Sequence, residues 1–529
     1  MIDAANPTNN WVRRGLDLFA GYGDAEAFVS VADGRRFTYT QLRQRILDTA
    51  AWLWEQGIRP GCTIGVLVSY SAESLFVQFG AHLLGCRTAY FAPSNPRTFL
   101  HDVLGFIDAD AFVYETQPHA ELGAELVAAA APPRVFCIGS GGLGPDLVDP
   151  PHASELPFDL ATITVEPEAL FQTGGTTRAP RLVRHGQRFF HAIPKVSRFY
   201  LIGDHDRIRH LNCSPTWHSG SQSAAVMTWF SGGLMLLTQG GDVQLFHDLV
   251  ASERVTSSMI SPPGLYSILD HPSTAGADLS SLRSLTVGAA AATPARLTQA
   301  IERFGPVLSL VYGLSEIPII TGWPNVDHDP DHPDRLASCG PVWGDAQVEI
   351  RDQDGTVLPT GEIGMIWVKG ELVMDGYYKM PELNAETMVD GWLWTGDVGR
   401  FDADGYLYIV DRVRDMIVTG AGSSCVYSRP LEDTLAEHPQ VAQAAVVGVP
   451  DEFLGEAVHA YVIRTPGATV TEDELRELVV RKLNQHWSPR EVEFVDAFPL
   501  TEFGKVDKKQ LRARYLARTQ EVAAAAVGT

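Results

Sequence analysis

The chain has 529 residues, 45% of them hydrophobic and 20% charged, with 64 acidic side chains against 41 Lys and Arg. That length and apolar content suit two or more packed domains. The formal charge of −23 argues against non-specific binding to nucleic acid or to an anionic membrane, because both repel an acidic surface at long range. It leaves room for a local anion site built from a few gathered cations.

Taken in chain order, Thr40 is expected to cap a helix whose Leu42, Ile46, Thr49 or Ala50, and Leu53 recur at helical spacing. The apolar run Thr63 to Val68 reads as a buried strand, Phe76 to Leu84 as a helix and Arg87 to Phe91 as the next strand. This alternation predicts helices over a largely parallel sheet. Ala128 to Pro133 and Gly139 to Pro150 read as surface loops. Leu282 to Val287 and Val307 to Val311 form a further strand pair around a helix at Pro294 to Phe304. After Gly340 the texture becomes that of a small β-rich unit, with Ala346 to Arg351 and Ile363 to Lys369 joined by Asp-Gly and Thr-Gly turns. From Arg414 it changes again: a helix at Leu431 to Glu437, strands Ala442 to Val449 and Ala457 to Ile463, a helix at Thr471 to Gln485, and a basic end whose last stretch, Val522 to Thr529, is expected to fray. The expected fold class is therefore α/β and α+β multidomain. A large N-terminal domain, 1–413, has layered sheets and helices, and a mobile α+β domain, 414–529, follows.

The six cysteines are widely spaced, without CxxC, which fits reduced thiols and a cytoplasmic location. No basic-then-apolar leader opens the sequence, and Thr63 to Leu84 is too interrupted by polar residues to span a bilayer.

The first chemical signal is Phe171-Gln172-Thr173-Gly174-Gly175-Thr176-Thr177-Arg178-Ala179-Pro180-Arg181. Glycines allow close backbone approach, while hydroxyls and guanidinium groups offer donors to a polyphosphate. The Walker A pattern is missing, and alone the stretch also suits a surface turn. Four further segments follow in order: Tyr312-Gly313-Leu314-Ser315-Glu316, Trp394-Thr395-Gly396-Asp397, Asp411-Arg412-Val413-Arg414-Asp415 and Phe503-Gly504-Lys505-Val506. Together they resemble the adenylate-forming enzymes, the superfamily of acyl- and aryl-CoA synthetases, luciferases and non-ribosomal-peptide adenylation domains.

The resemblance implies ATP-dependent activation of a carboxylic acid, with pyrophosphate released and an acyl-adenylate kept. Thr173, Gly174, Gly175, Thr176 and Thr177 are then expected to hold the β and γ phosphates, and Glu316 to contact Mg²⁺ as a hard oxygen ligand. Tyr312 is expected against adenine, and Asp397 with Arg412 at the ribose hydroxyls. Lys505 is expected to bridge the attacking carboxylate and the α-phosphate, and Arg414 to be the pivot about which the C-terminal domain turns. His218, in Pro215-Thr216-Trp217-His218-Ser219-Gly220, is expected near the acid, although the same residue suits a structurally satisfied histidine. Trp217, Met227 and Trp229 are candidate apolar faces for the acid, with Gly220 and Gly288 leaving room beside it.

The tail text and the GGTT pair resemble ligases of aromatic acids. Transfer to CoA is the expected second step, with a CoA-free outcome as the alternative: loading of a separate carrier protein, or activation of nitrite for diazotisation of an aryl amine. The expected partner is a small-molecule acid or similar anion; nothing is read about oligomeric state. One departure bears on the acceptor. The loop Thr419 to Glu432 is longer than the family's usual text and carries Ser428 and Pro430 where Pro and Glu are common. Its Cys425 reads as a bystander, since no His/Asp pair accompanies it.

Overall fold

The computed structural model describes residues 10–172, 181–199, 207–326, 332–419, 424–451, 455–501 and 505–527. Among them the chain forms four sheets. In one, Val135–Ile138, Ala111–Glu115, Thr63–Leu67, Arg87–Phe91 and Glu168–Gln172 lie side by side in parallel, and Leu182–His185 closes the edge antiparallel. The second holds eight strands. Ser284–Val287, Ser257–Ile260, Arg209–Asn212, Leu234–Leu237 and Glu26–Ser30 are joined in parallel, and antiparallel hairpins finish both edges. Every residue of Thr63–Leu67 is buried, the unbroken apolar run that a parallel strand covered on both faces requires.

Two helices fill the space between these sheets. All of Ala72–Leu83 is buried, as is Ser219–Phe230 except for Gly220. Such all-round burial belongs to an interior helix. Their rings meet directly, with Phe79 5.3 Å from Trp229, while Phe28 of the larger sheet stands edge-on to Phe76. Buried polar groups within this layer find partners. His82 Nδ1 accepts from the Trp11 indole at 3.2 Å and Nε2 meets Thr88 Oγ1 at 3.0 Å. Burial pushes its pKa down to about 3, so the ring is neutral.

The third sheet is antiparallel and small: Gln347–Arg351, Gly364–Lys369, Met388–Val389, Trp392–Phe401 and Leu407–Arg412. The fourth joins Ile417–Thr419, Ser424–Val426, Val441–Asp451, Gly455–Arg464 and Glu491–Phe494, backed by helices Ser428–Ala436 and Glu472–Lys482. This is the mixed α/β and α+β organisation expected from the sequence. Among the described residues no helix is long and apolar enough to cross a membrane.

Several boundaries differ from the sequence reading; helix Thr116–Ala130 keeps Ala128 to Ala130 where a loop is expected, and helix Ser428–Ala436 starts three residues before Leu431. The helix expected to start behind Thr40 spans Tyr39–Glu55 and is capped by Thr38, whose hydroxyl accepts from Gln41 N while Gln41 Oε1 accepts from Thr38 N at 2.9 Å. That reciprocal pair satisfies two end donors at once, so it outcompetes a cap two residues on. The next helix begins at Ala72 rather than Phe76, because burial on all sides removes the periodic signal that marks a start. The last helix spans Lys508–Val527.

Candidate active site

Register places the first pair. Trp392–Phe401 and Leu407–Arg412 run antiparallel with Asp397 directly opposite Arg412. The turn between them is held by Asp402, whose Oδ1 accepts from the amides of Asp404 and Tyr406 at 3.0 and 2.9 Å. Arg412 Nε then lies 3.0 Å from Asp397 Oδ1, and the Tyr312 hydroxyl donates to Asp397 Oδ2 at 2.6 Å. Asp397 is 2% exposed, so this carboxylate needs both partners: a buried charge without them is strongly unfavourable. Burial and the Asp397 charge hold the Tyr312 phenol protonated, well above its ordinary pKa. Burial draws the Arg412 pKa down, but the carboxylates of Asp397, Asp415 and Glu316 outweigh it and the guanidinium stays charged.

Glu316 sits at the tight turn between Leu308–Leu314 and Ile317–Trp323. Its Oε1 accepts from the Tyr377 hydroxyl at 2.8 Å and its carbonyl from Met374 N at 2.8 Å. One residue earlier, the Ser315 carbonyl lies 2.8 Å from His185 Nε2, which therefore carries the ring proton. His185 stacks on Phe189 at 3.9 Å, and burial pushes its pKa down to about 4. Arg181, where the described chain resumes after the phosphate-loop text, has its guanidinium 6.0 Å from the Tyr377 ring.

Tyr312, Asp397, Arg412 and Lys505 line one cavity of about 480 Å³, walled by Val287, Ala289–Ala292 and Leu336–Cys339. Lys505 is presented by a backbone exchange in which Thr501 N donates to its carbonyl at 2.7 Å and its own amide donates to Thr501 Oγ1 at 3.2 Å. His218 caps helix Ser219–Phe230, its Nδ1 accepting from Gly220 N at 3.0 Å. Burial, reinforced by the Lys505 charge, pushes its pKa down to about 4, so the ring is neutral and electrostatically coupled to that lysine. Thus residues spread from 287 to 505 meet around one space, while His218 and Glu316 stand outside its lining.

Other sequence readings fare differently. Thr173, Gly174, Gly175, Thr176 and Thr177 lie outside the described residues; the flanking strands Glu168–Gln172 and Leu182–His185 pair antiparallel. Arg414 falls in the short helical turn Val413–Asp415 directly after Arg412. Trp229 belongs to the core, with its indole donating to the Ala27 carbonyl at 3.0 Å, and Met227 is likewise buried away from the cavity. Gly288 does not widen the cavity. A Cβ there would stand 2.5 Å from Val311 Cγ1, so neighbouring-strand packing requires the glycine. Sequence reasoning missed Tyr377, His185 and the cluster Asp411, Ser428, Glu432 and Lys508. Each acts through partners distant in sequence, which leaves no local pattern to read.

This fold and site define a nucleotide-using enzyme that joins a large α/β body to a small α+β domain carrying a lysine. The signature described as AMP-binding enzyme matches residues 18–378, and that described as AMP-binding enzyme C-terminal domain matches 430–505. A feruloyl-CoA synthase of Amycolatopsis sp is 32% identical over 91% of this chain and 94% of its own length. A medium/long-chain fatty acid–CoA ligase of Mycobacterium tuberculosis is 42% identical, over 58% of this chain and 54% of the relative. Among solved structures, the amide bond synthetase McbA from Marinactinospora thermotolerans superposes with a TM-score of 0.87 at 32% identity, covering 96% of this chain and 99% of that one. The chain belongs to the AMP-binding enzyme family within the adenylate-forming superfamily: ATP-dependent, AMP-forming enzymes of the acyl/aryl-CoA synthetase type.

Proposed function

We propose that this protein activates a carboxylic acid, aromatic in character, as its acyl-adenylate and passes the acyl group to CoA. The observation that carries this reading is the arrival of Lys505, from the far end of the sequence, in the cavity lined by Tyr312, Asp397 and Arg412. In this reading Asp397 still offers lone pairs to the ribose diol while Tyr312 and Arg412 hold it in place. Tyr312, on the cavity wall, lies against adenine. Lys505 sets one ammonium between two anions, an acid carboxylate and the α-phosphate, and stabilises the charge that builds as they join. His218, neutral, donates from Nε2 to the acid rather than adding charge. Thr173 to Thr177 supply donors to the departing pyrophosphate.

Glu316 suits Mg²⁺ by chemistry. Tyr377 occupies Oε1, which leaves Oε2 as a hard oxygen ligand. Among the described residues no cluster of three or more His, Cys, Asp or Glu could hold a metal alone. Phosphate oxygens and water would complete the shell, and the ion would offset phosphate charge. Residues 1–413 form the body and 414–529 turn about Arg414 between the half-reactions.

The acceptor has a second reading. The longer Thr419–Glu432 loop and the likeness to an amide bond synthetase over 96% of the chain both favour an acyl-adenylate that reacts without CoA. A pyrophosphate-release screen tests these readings: aromatic and aliphatic acids, and separately nitrite with an aryl amine, each with CoA, with a free amine or with neither. Release with an aromatic acid and consumption of CoA is the expected result. Amide formation, or diazotisation, with CoA untouched would move the assignment to the CoA-free reading. Release with no acid at all would end it.

A further inference from the structure

We propose that Ser428 is a positioning residue that bridges Asp411 and Lys508 across the hinge and so holds Lys505 at the cavity. The inference rests on the reading that the segment after residue 413 turns relative to the body.

Asp411 belongs to the body. It lies on strand Leu407–Arg412, opposite Val398 and one residue before the arginine that pairs with Asp397. Its carboxylate is 5% exposed and takes three donors: Arg412 N at 2.8 Å and both the amide and the hydroxyl of Ser428, the latter at 3.1 Å. Ser428 opens helix Ser428–Ala436, beyond the hinge, and is fully buried. Its hydroxyl gives its proton to Asp411 and accepts from Lys508 Nζ. Lys508 also lies 2.8 Å from Glu432, whose Oε1 is fixed in turn by Val446 N at 2.7 Å.

A continuous polar path therefore runs from Asp397 through Arg412, Asp411, Ser428 and Lys508 to the backbone that presents Lys505. Turning the C-terminal domain about Arg414 separates Asp411 from Ser428, and a buried carboxylate then loses two of its donors. The bridge depends on this chain's departure from the family text. Ser428 stands where Pro is common, and Pro carries neither the amide nor the hydroxyl proton that Asp411 receives here. The consequence is a domain arrangement biased towards the adenylating one.

Spin labels on a ketone-bearing amino acid placed at the exposed Val357 and Val480 would report the distance between body and C-terminal domain, with ATP and Mg²⁺ as the only added ligands. In the parent protein one distance should dominate. Ser428→Ala, which removes the hydroxyl alone, should raise the second population about fivefold, the effect of losing one net hydrogen bond. Ser428→Pro should raise it further, and Lys508→Met should resemble Ser428→Ala. In ATP–pyrophosphate exchange with an acid found in the screen, Ser428→Ala should lower kcat only by the population that leaves the adenylating arrangement, less than about twofold, and leave the KM for ATP unchanged, since the nucleotide contacts stand. Distance distributions that coincide for the parent and all three variants would overturn the bridge. Failure of the functional reading looks different: no pyrophosphate chemistry in the parent, while the distances still respond to Ser428.

Discussion

Lys505 and Tyr377 show how differently two site residues announce themselves. Lys505 sits in a short text that can be read directly, and the structure brings it to the cavity with Asp397 and Arg412. Lys505→Ala should lower the rate of pyrophosphate exchange at least about a hundredfold while the ATP Kd, measured by calorimetry, moves only severalfold, because the ammonium is needed most where charge develops. Equal exchange rates in variant and parent would remove its role. Tyr377 is invisible in sequence, since its hydroxyl meets Glu316, a residue 61 positions earlier. Tyr377→Phe leaves that carboxylate with one donor fewer and a looser orientation. The Mg²⁺ concentration for half-maximal ATP binding should rise roughly tenfold, in line with a hydrogen bond to a charged group. An unchanged Mg²⁺ titration would show that Tyr377 is only packing.

Hairpins and strand registers carry the site at the next scale. The hairpin Leu308–Leu314 to Ile317–Trp323 presents Tyr312 and Glu316 together, and its pairing shifts register between Tyr312 and Leu314. Gly313 lies inside that irregularity: an added Cβ would stand 2.0 Å from the Pro318 carbonyl oxygen and 2.3 Å from its carbon. Backbone atoms cannot swing aside as a side chain can. Gly313→Ala should therefore cost about 1–3 kcal/mol of stability and weaken ATP binding with it, as read by calorimetric unfolding and nucleotide titration. A parent-like melting point would refute that packing argument. The pairing of Asp397 with Arg412 was foreseeable, because a single turn separates their strands. The central strands Arg209–Asn212 and Leu234–Leu237 were not, being short, wholly or largely buried and without alternation. Trp229 misled for a related reason. A large ring near a candidate pocket reads alike whether it faces the ligand or, as here, the core.

For the molecule as a whole, burial of histidines sets the acid limit. His82 is pushed down to about 3, and His185, His210 and His218 to about 4, in each case first by burial. An unfolded chain binds protons at these rings as pH falls below about 6.5, whereas the folded chain resists until about 4. Unfolding therefore takes up protons across that window, and stability present above pH 6.5 is lost progressively towards pH 4. Melting temperature should be flat from pH 7 to 8 and fall steadily between 6.5 and 4; replacing His210 by Gln should make that slope shallower. A melting temperature indifferent to pH in this range would show the rings to be accessible. What the sequence determined alone was the family, the order of the nucleotide motifs and the alternation of helix and strand, because those depend on residues close together in the chain. The tertiary structure decided which aromatic rings belong to the core, what holds Glu316 and Asp397, and how Ser428 ties Lys508 to Asp411. Those contacts join residues tens to hundreds of positions apart, and only packing determines which distant groups share a buried space.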